Sequence, residues 1–384
     1  MELPKELDDF LFKELGAGPY IPREQRREHS VIDIEHTENL EGEGHKYYLA
    51  NYFPESFVAG YEIMNALLKC EIIKENLKKD DKINILDIGA GRGDYLTGLL
   101  WALKDCHEID LQSKSIKIFP IDSNFSALED YLEKTIKRFF QGYCEVFPCQ
   151  KKIDPNNFFN DIEDIVLNTG IQRFNIISTS KFLREFFRNE YDRDILKGLL
   201  NFVYRYLEKK GLSFVNEVTD KVILPGVHRA GLYGMAVTDK DDANRKNYLP
   251  VLMNRDVIEF LHYNRSIKCI IPLSCALWYD RCQYTQNPSS ECFTNRVYQV
   301  SHSMASNYNF KVNYKVFTLP EYADEILEHI RDNYQIEKNN SQIVFKIATL
   351  RNRTNYCKQG SCIRGYSSYE NEKVFDAFLL NQNS

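Results

Sequence analysis

Residues 83–94 read Ile-Asn-Ile-Leu-Asp-Ile-Gly-Ala-Gly-Arg-Gly-Asp. A short apolar run closes on Asp87, glycines alternate at Gly89, Gly91 and Gly93, and a helical pattern over residues 95–103 follows at once. A strand, a tight glycine turn and a helix in that order open a nucleotide-binding βαβ unit. A side chain at such a turn blocks close approach of a ligand to the backbone or forbids a positive φ.

The spacing narrows the ligand. A dinucleotide fingerprint runs G-x-G-x-x-G, so that a pyrophosphate meets the helix N-terminus. Here the third glycine comes one residue early, and Asp87 closes the strand ahead of the loop. A carboxylate there suits a ligand with a cationic end better than one carrying phosphates, which disfavours a nicotinamide-dependent oxidoreductase. On these residues the chain resembles the class I S-adenosylmethionine-dependent methyltransferases. Their first motif is a hydrophobic strand followed by Asp/Glu-x-Gly-x-Gly-x-Gly, and residues 86–93 match it position by position. The resemblance covers about residues 45–220.

Downstream residues follow the same order. Residues 115–121 read as a second strand closed by Asp122, with a helical pattern over 125–140 behind it. Residues 143–148 and 174–178 read as third and fourth strands, and 211–218 as a fifth after a long helix over 192–210. Alternation at this spacing argues for an open, mostly parallel sheet with ligands at the strand carboxyl ends. The resemblance implies that Asp87, Gly89, Ala90, Gly91, Gly93 and Ser123 bind S-adenosylmethionine, with Asp122 at its ribose. It also places Asp154 near the adenine and Ser178 at the mouth of the fourth strand.

The expected fold is therefore α/β: a Rossmann-like class I methyltransferase core over residues 79–265, an N-terminal helical cap over 1–78, and a C-terminal α+β extension over 266–384. The cap has helical periodicity over 47–73, and its aromatics read first as core and second as a lid. Residues 219–246 read as loops at the site's rim, 247–263 as a helix, 266–273, 311–319 and 342–350 as strands, and 321–334 as a helix. His29, His36 and His45 lie among acids near the cap; His36 and His45 lack ligand-like spacing and read as solvated or substrate-facing.

At 384 residues with 43% hydrophobic content, the chain can bury a full core. A formal net charge of −6 does not favour a protein that blankets nucleic acid, though it leaves room for a local basic patch. There is no apolar run of the ~18 residues that a membrane helix needs, and residues 1–15 lack the layout of a secretion or transit signal. A cytoplasmic location is the expectation.

Ten cysteines is a high count for such a chain. Cys70, Cys106, Cys144 and Cys149 read as structural, since cysteine often behaves as a small buried hydrophobe. Cys275, Cys282 and Cys292 share one irregular stretch, and Cys357 and Cys362 another. Their spacing is not the Cys-x-x-Cys knuckle of a structural zinc site. Here the chain resembles a methyltransferase-like family tied to assembly of the small mitochondrial ribosomal subunit, in which three spaced cysteines and a later fourth are implicated in holding a 4Fe–4S cluster. The resemblance implies Cys275, Cys282 and Cys292 as three ligands, with Cys362 or Cys357 as the fourth. The loose spacings and the chain's acidity depart from that family, and unlinked free thiols or a redox-sensitive pair stay open.

The methyl acceptor is not written in a motif. Ser178-Thr179-Ser180-Lys181 stands where DNA amino-methyltransferases carry Asp/Asn-Pro-Pro-Tyr/Phe, so that chemistry is disfavoured. Lys181 and Glu217 fall near two places of a ribose-methylating Lys-Asp-Lys-Glu set, but no Asp ends the fourth strand. Lys181 reads instead as a solvated helix-start residue and Glu217 as a strand-end carboxylate near the pocket. A sulfonium is already strongly electrophilic, so alignment of the acceptor supplies most of the rate. The sequence thus points to methyl transfer from S-adenosylmethionine to a small molecule, protein or RNA. The alternative is an S-adenosylmethionine-binding assembly or interaction module, with or without an iron–sulfur cluster.

Overall fold

The computed structural model describes residues 1–22, 42–186, 192–217, 221–223, 246–248, 266–271, 297–311 and 313–333, together with Met253 and Phe260. The amino-terminal part is helical: α1 (Lys5–Asp9), continued by a π-helical turn over Phe10–Glu14, then α2 (Glu43–Asn51), α3 (Phe53–Leu68) and α4 (Glu71–Lys79). The sequence suggested one helix over 47–73. It breaks at Tyr52, where φ is −124°, because Pro54 lacks an amide hydrogen and so begins a new helix. A second break falls at Cys70, which is extended.

The alternating segment follows: β1 (Lys82–Ile88), α5 (Asp94–Asp105), β2 (Ser115–Asp122), α6 (Lys134–Phe140), β3 (Cys144–Val146), β4 (Cys149–Gln150), α7 (Phe158–Thr169), β5 (Phe174–Ser180), α8 (Leu183–Phe186), α9 (Arg193–Tyr206) and β6 (Leu207–Glu217). A short antiparallel ribbon, β7 (Lys221–Ile223) with β8 (Lys246–Tyr248), comes next. Then come β9 (Lys268–Ile271), the hairpin β10 (Val297–His302) and β11 (Ala305–Lys311), β12 (Asn313–Thr318) and α10 (Pro320–Asn333). The helix expected over 125–140 starts as a π-helical turn over Ala127–Glu133 before α6 begins. The strand read at 342–350 and most of the helix read at 247–263 lie outside the described residues.

The main sheet has eight strands in the order β3-β2-β1-β5-β6-β12-β9, with β4 also on β2. Strands β1 to β6 pair in parallel, whereas β12 is antiparallel to both β6 and β9. This is a Rossmann-like α/β sheet, and its order reverses between β1 and β5. Ligands of such sheets bind at that switch point, beyond the strand carboxyl ends.

Side-chain alternation divides the core. Ile83 and Ile85 of β1 and Ile116 and Ile118 of β2 join the cluster formed with α3, α5 and the hairpin. Leu86, Ile88, Phe119 and Ile121 join the opposite cluster, formed with α7 and α9. That period of two is the strand's own geometry. The helical cap interlocks with the sheet through two glycines. A Cβ on Gly60 of α3 would stand 2.3 Å from the Tyr95 carbonyl oxygen, and one on Gly98 of α5 would stand 2.1 Å from that of Phe57. At the other end of the cap, Leu3 N donates to Ser301 O at 3.0 Å and Ser301 N to Met1 O at 3.1 Å. The amino terminus therefore lies along the β10–β11 hairpin. Among the described residues no helix is long and apolar enough to cross a membrane.

Candidate functional site

The loop between β1 and α5 is held by backbone bonds from β2. Gly89 N and Ala90 N both donate to Ile121 O, at 2.8 and 3.0 Å. Asp122, ending β2, accepts from Gly91 N at 2.8 Å through Oδ2 and from Asn124 N at 2.8 Å through Oδ1. The acid that the sequence assigned to a ribose thus also shapes the loop. Burial raises its pKa, and these backbone donors pull in the opposite direction. The carbonyl of Ser123 accepts from Gln150 Nε2 at 3.3 Å.

The glycines differ in what surrounds them. Gly89 has φ +69° and lies under the Phe182 ring, and a Cβ there would meet Phe182 at 2.3 Å. Gly91 has φ +53° and nothing within 4 Å of the place where a Cβ would go. The first is closed by protein; the second has open space where a side chain would go, while its N–H is held by Asp122. That is the side on which a ligand can approach the loop.

Asp87 is buried under this loop, and its Oδ1 accepts from Ser178 Oγ at 2.7 Å. Burial pushes its pKa up to about 7 against the Ser178 bond, with Asp94 and Asp122 adding repulsion. The parallel pairing of β1 and β5 sets Asp87 opposite Ser178. Ser178 therefore orients the carboxylate, and its hydroxyl is turned to Asp87.

A tyrosine wall closes the cap side. Tyr48 and Tyr52, one helical turn apart, have ring centroids 5.4 Å apart. Tyr48 Oη donates to Asp94 Oδ2 at 3.0 Å. The Arg92 guanidinium lies 4.1 Å from the Tyr48 ring centroid, and its Nε donates to His45 Nδ1 at 3.0 Å. Arg92 is 2% exposed, its Nη2 has no hydrogen-bond partner, and desolvation lowers its pKa. From the opposite side, Lys181 Nζ approaches the Tyr52 and Tyr48 rings, at 5.6 and 6.0 Å. Two sequence expectations are corrected here. His45 is not solvated but buried and stacked on Tyr131, because it is the partner that Arg92 needs inside the protein. Lys181 is not a solvated helix start; it is the one non-glycine residue with positive φ (59°) among the described residues, and its ammonium leans on aromatic faces.

The turn leaving β5 is stapled to the end of β6. Lys181 N donates to Asn216 O at 2.7 Å, Asn216 Nδ2 to Ser180 Oγ at 3.0 Å, and Leu183 N to Glu217 Oε1 at 2.8 Å. These ties hold Lys181 in the left-handed region, a cost of roughly 1–3 kcal/mol that persists only where the surroundings over-determine it. Glu217 is 3% exposed, and burial pushes its pKa up to about 7.

The remaining sequence candidates lie elsewhere. Asp154 is exposed, and its Oδ1 accepts from Asn156 N at 2.8 Å to cap the turn over Pro155–Asn157. Cys275, Cys282, Cys292, Cys357 and Cys362 lie outside the described residues. Cys70 and Cys144 are thiols whose burial raises their pKa to about 11 and 12. Among the described residues, Glu71, Glu75 and Glu108 converge closely enough to share a cation. Lys74 already pairs with Glu71 and Glu108, at 2.8 and 2.7 Å, and Lys78 with Glu75 at 3.1 Å.

The solved structures to which the chain is similar include a DszA carbon methyltransferase, at 18% identity and a TM-score of 0.34, covering 70% of this chain and 55% of that one. A S-adenosylmethionine-dependent methyltransferase from Clostridium acetobutylicum is similar at 12% identity and a TM-score of 0.33, over 68% of this chain and 92% of that one. The plantazolicin methyltransferase BpumL, in complex with SAH, is similar at 11% identity and a TM-score of 0.33, over 82% and 93% of the two chains. No family model and no curated protein matches the sequence.

Proposed function

We propose that the chain is a S-adenosylmethionine-dependent methyltransferase. The observation that carries this reading is the open space beside Gly91, with nothing within 4 Å of its absent side chain. It lies in a loop entered from a buried acid and buttressed by Asp122. Its residues fit the donor: Gly89 to Gly93 form the cradle, Asp122 retains lone pairs for ribose hydroxyls, and Arg92 Nη2 is a buried donor suited to the carboxylate of the methionine end. Ser178 and Asp154 enter as sequence-based assignments, the first by orienting Asp87. The bound donor supplies an electrophilic methyl carbon on a sulfonium sulfur.

The chain's own part is positioning. The tyrosine wall and the β5 exit turn exclude water from opposite sides of the switch point, and the αL turn at Lys181 keeps the acceptor side rigid. Calorimetry with S-adenosylhomocysteine tests the proposal. Binding in the micromolar range that is abolished in Gly91→Arg is the expected result. No heat from the native protein, or equal binding in both, would overturn it.

A further inference from the structure

Two buried polar atoms at the carboxyl ends of β5 and β6 remain without a hydrogen-bond partner: Thr179 Oγ1 and Glu217 Oε2. Buried polar atoms are nearly always paired, so each such exception calls for a cause. The register places them together. Ile88, Thr179 and Val215 stand abreast on β1, β5 and β6, and Thr179, Val215 and Glu217 share one face. Glu217 is two residues, roughly 7 Å, beyond that row, level with the glycine loop rather than with the core. The carboxylate is fixed by Leu183 N on its other oxygen, with the Arg184 amide also drawn to it, so it cannot swing away. A carboxylate oxygen can only accept, and what it lacks here is a donor.

We infer that Glu217 accepts the proton displaced in methyl transfer, and that the acceptor substrate presents an N–H or O–H group at the atom that is methylated. This rests on reading the loop as a S-adenosylmethionine cradle. The lone pair of that nitrogen or oxygen forms the new bond to the methyl carbon. The carbon–sulfur bond breaks with its electron pair going to sulfur, leaving a neutral thioether. The proton of the acceptor passes to Glu217 Oε2, turning carboxylate to acid, and is released to water after the product leaves. Thr179 Oγ1 is the neighbouring group that orients the acceptor. Burial is the largest influence on Glu217 and raises its pKa; the Leu183 amide, Lys315 of β12 and the Arg184 amide favour the carboxylate, and Glu185 of α8 opposes it. A pKa near neutrality suits a general base.

Sinefungin tests the inference without the natural acceptor, since it carries an amine where the transferred methyl stands. S-adenosylhomocysteine, which carries nothing there, is the reference. Both are titrated into the wild type and Glu217→Gln; the amide keeps an oxygen for Leu183 N, and a melting curve checks that the fold persists. Sinefungin should bind the wild type about tenfold or more tighter than the thioether, the gain of a buried charged hydrogen bond. That advantage should shrink to about twofold or less in Glu217→Gln, and should fade in the wild type as pH drops below about 7. If Glu217 only caps α8, the ratio of the two affinities is the same in both proteins at every pH, and the inference fails while the proposed function stands. If S-adenosylhomocysteine itself does not bind, both fall.

Discussion

Phe182 lies so close to Gly89 that a Cβ on the glycine would stand 2.3 Å from its Cδ2. The turn leaving β5 is thereby seated directly on the turn leaving β1, and the two loops at the switch point share one contact. Gly89 serves the fold, whereas Gly91 faces the space a ligand would fill.

The two glycines should separate on substitution. Gly89→Ala must displace Phe182 and hold alanine at φ +69°, and is expected to lose about 2–4 kcal/mol. Gly91→Ala bears only the backbone strain, about 1 kcal/mol, yet should weaken S-adenosylhomocysteine more than tenfold. Urea unfolding and calorimetry on both variants measure the pair. Equal stability losses would contradict the packing role of Gly89.

Asp87 should make stability depend on pH. Its pKa is about 7 in the fold against 3.8 ordinarily, so between those values the folded state binds protons that the unfolded chain has released. Stability from this group therefore falls as pH rises from about 4 to about 7 and is flat above. Asp87→Asn keeps an acceptor for Ser178 Oγ and removes the titration. It should exceed the wild type in stability at pH 8 by on the order of 3 kcal/mol, and by much less at pH 5. Chemical unfolding at both pH values decides, and a gap that does not change with pH would count against the burial argument.

Much of the loop was legible in the sequence because it is local. Gly89, Gly91, Gly93 and the acids at Asp87 and Asp122 signal their geometry within a few residues. The β1 and β2 apolar runs likewise announce a sheet covered on both faces. Pro54 was a readable sign that the cap helix breaks. What sequence could not show was made by distance. Arg92 finds His45 across 47 positions, and Tyr48 finds Asp94 across 46. Neither pair has a spacing that signals it. The left-handed turn at Lys181 is imposed by Asn216 and Glu217 from the next strand, against the preference of lysine itself.

That imposed turn yields a third prediction. Lys181→Gly relieves the φ of 59° and should raise stability by up to about 1 kcal/mol. The same change removes the ammonium from the tyrosine wall and should lower methyl transfer. Thermal melting would show the gain, and a stability loss would mean that the Lys181 stem contributes more packing than strain.

Thr179→Val offers a fourth. Thr179 is 1% exposed and its buried hydroxyl has no hydrogen-bond partner, so an isosteric apolar side chain should be neutral or stabilising by about 1 kcal/mol. Loss of more than that on unfolding would reveal a partner for the hydroxyl in solution.

Leu3 is paired with Ser301, and the terminal ammonium with Gln299 across 298 positions. A ribosome adding 5–20 residues per second takes roughly 15–60 s to make the hairpin after the start has emerged. Through that interval Leu3, buried in the finished molecule, lacks the strand to which its amide is bonded. The first residues of the cap are thus tied down only when β10 exists, although they are synthesised first, and a chain stalled before β10 would leave Leu3 without its strand partner.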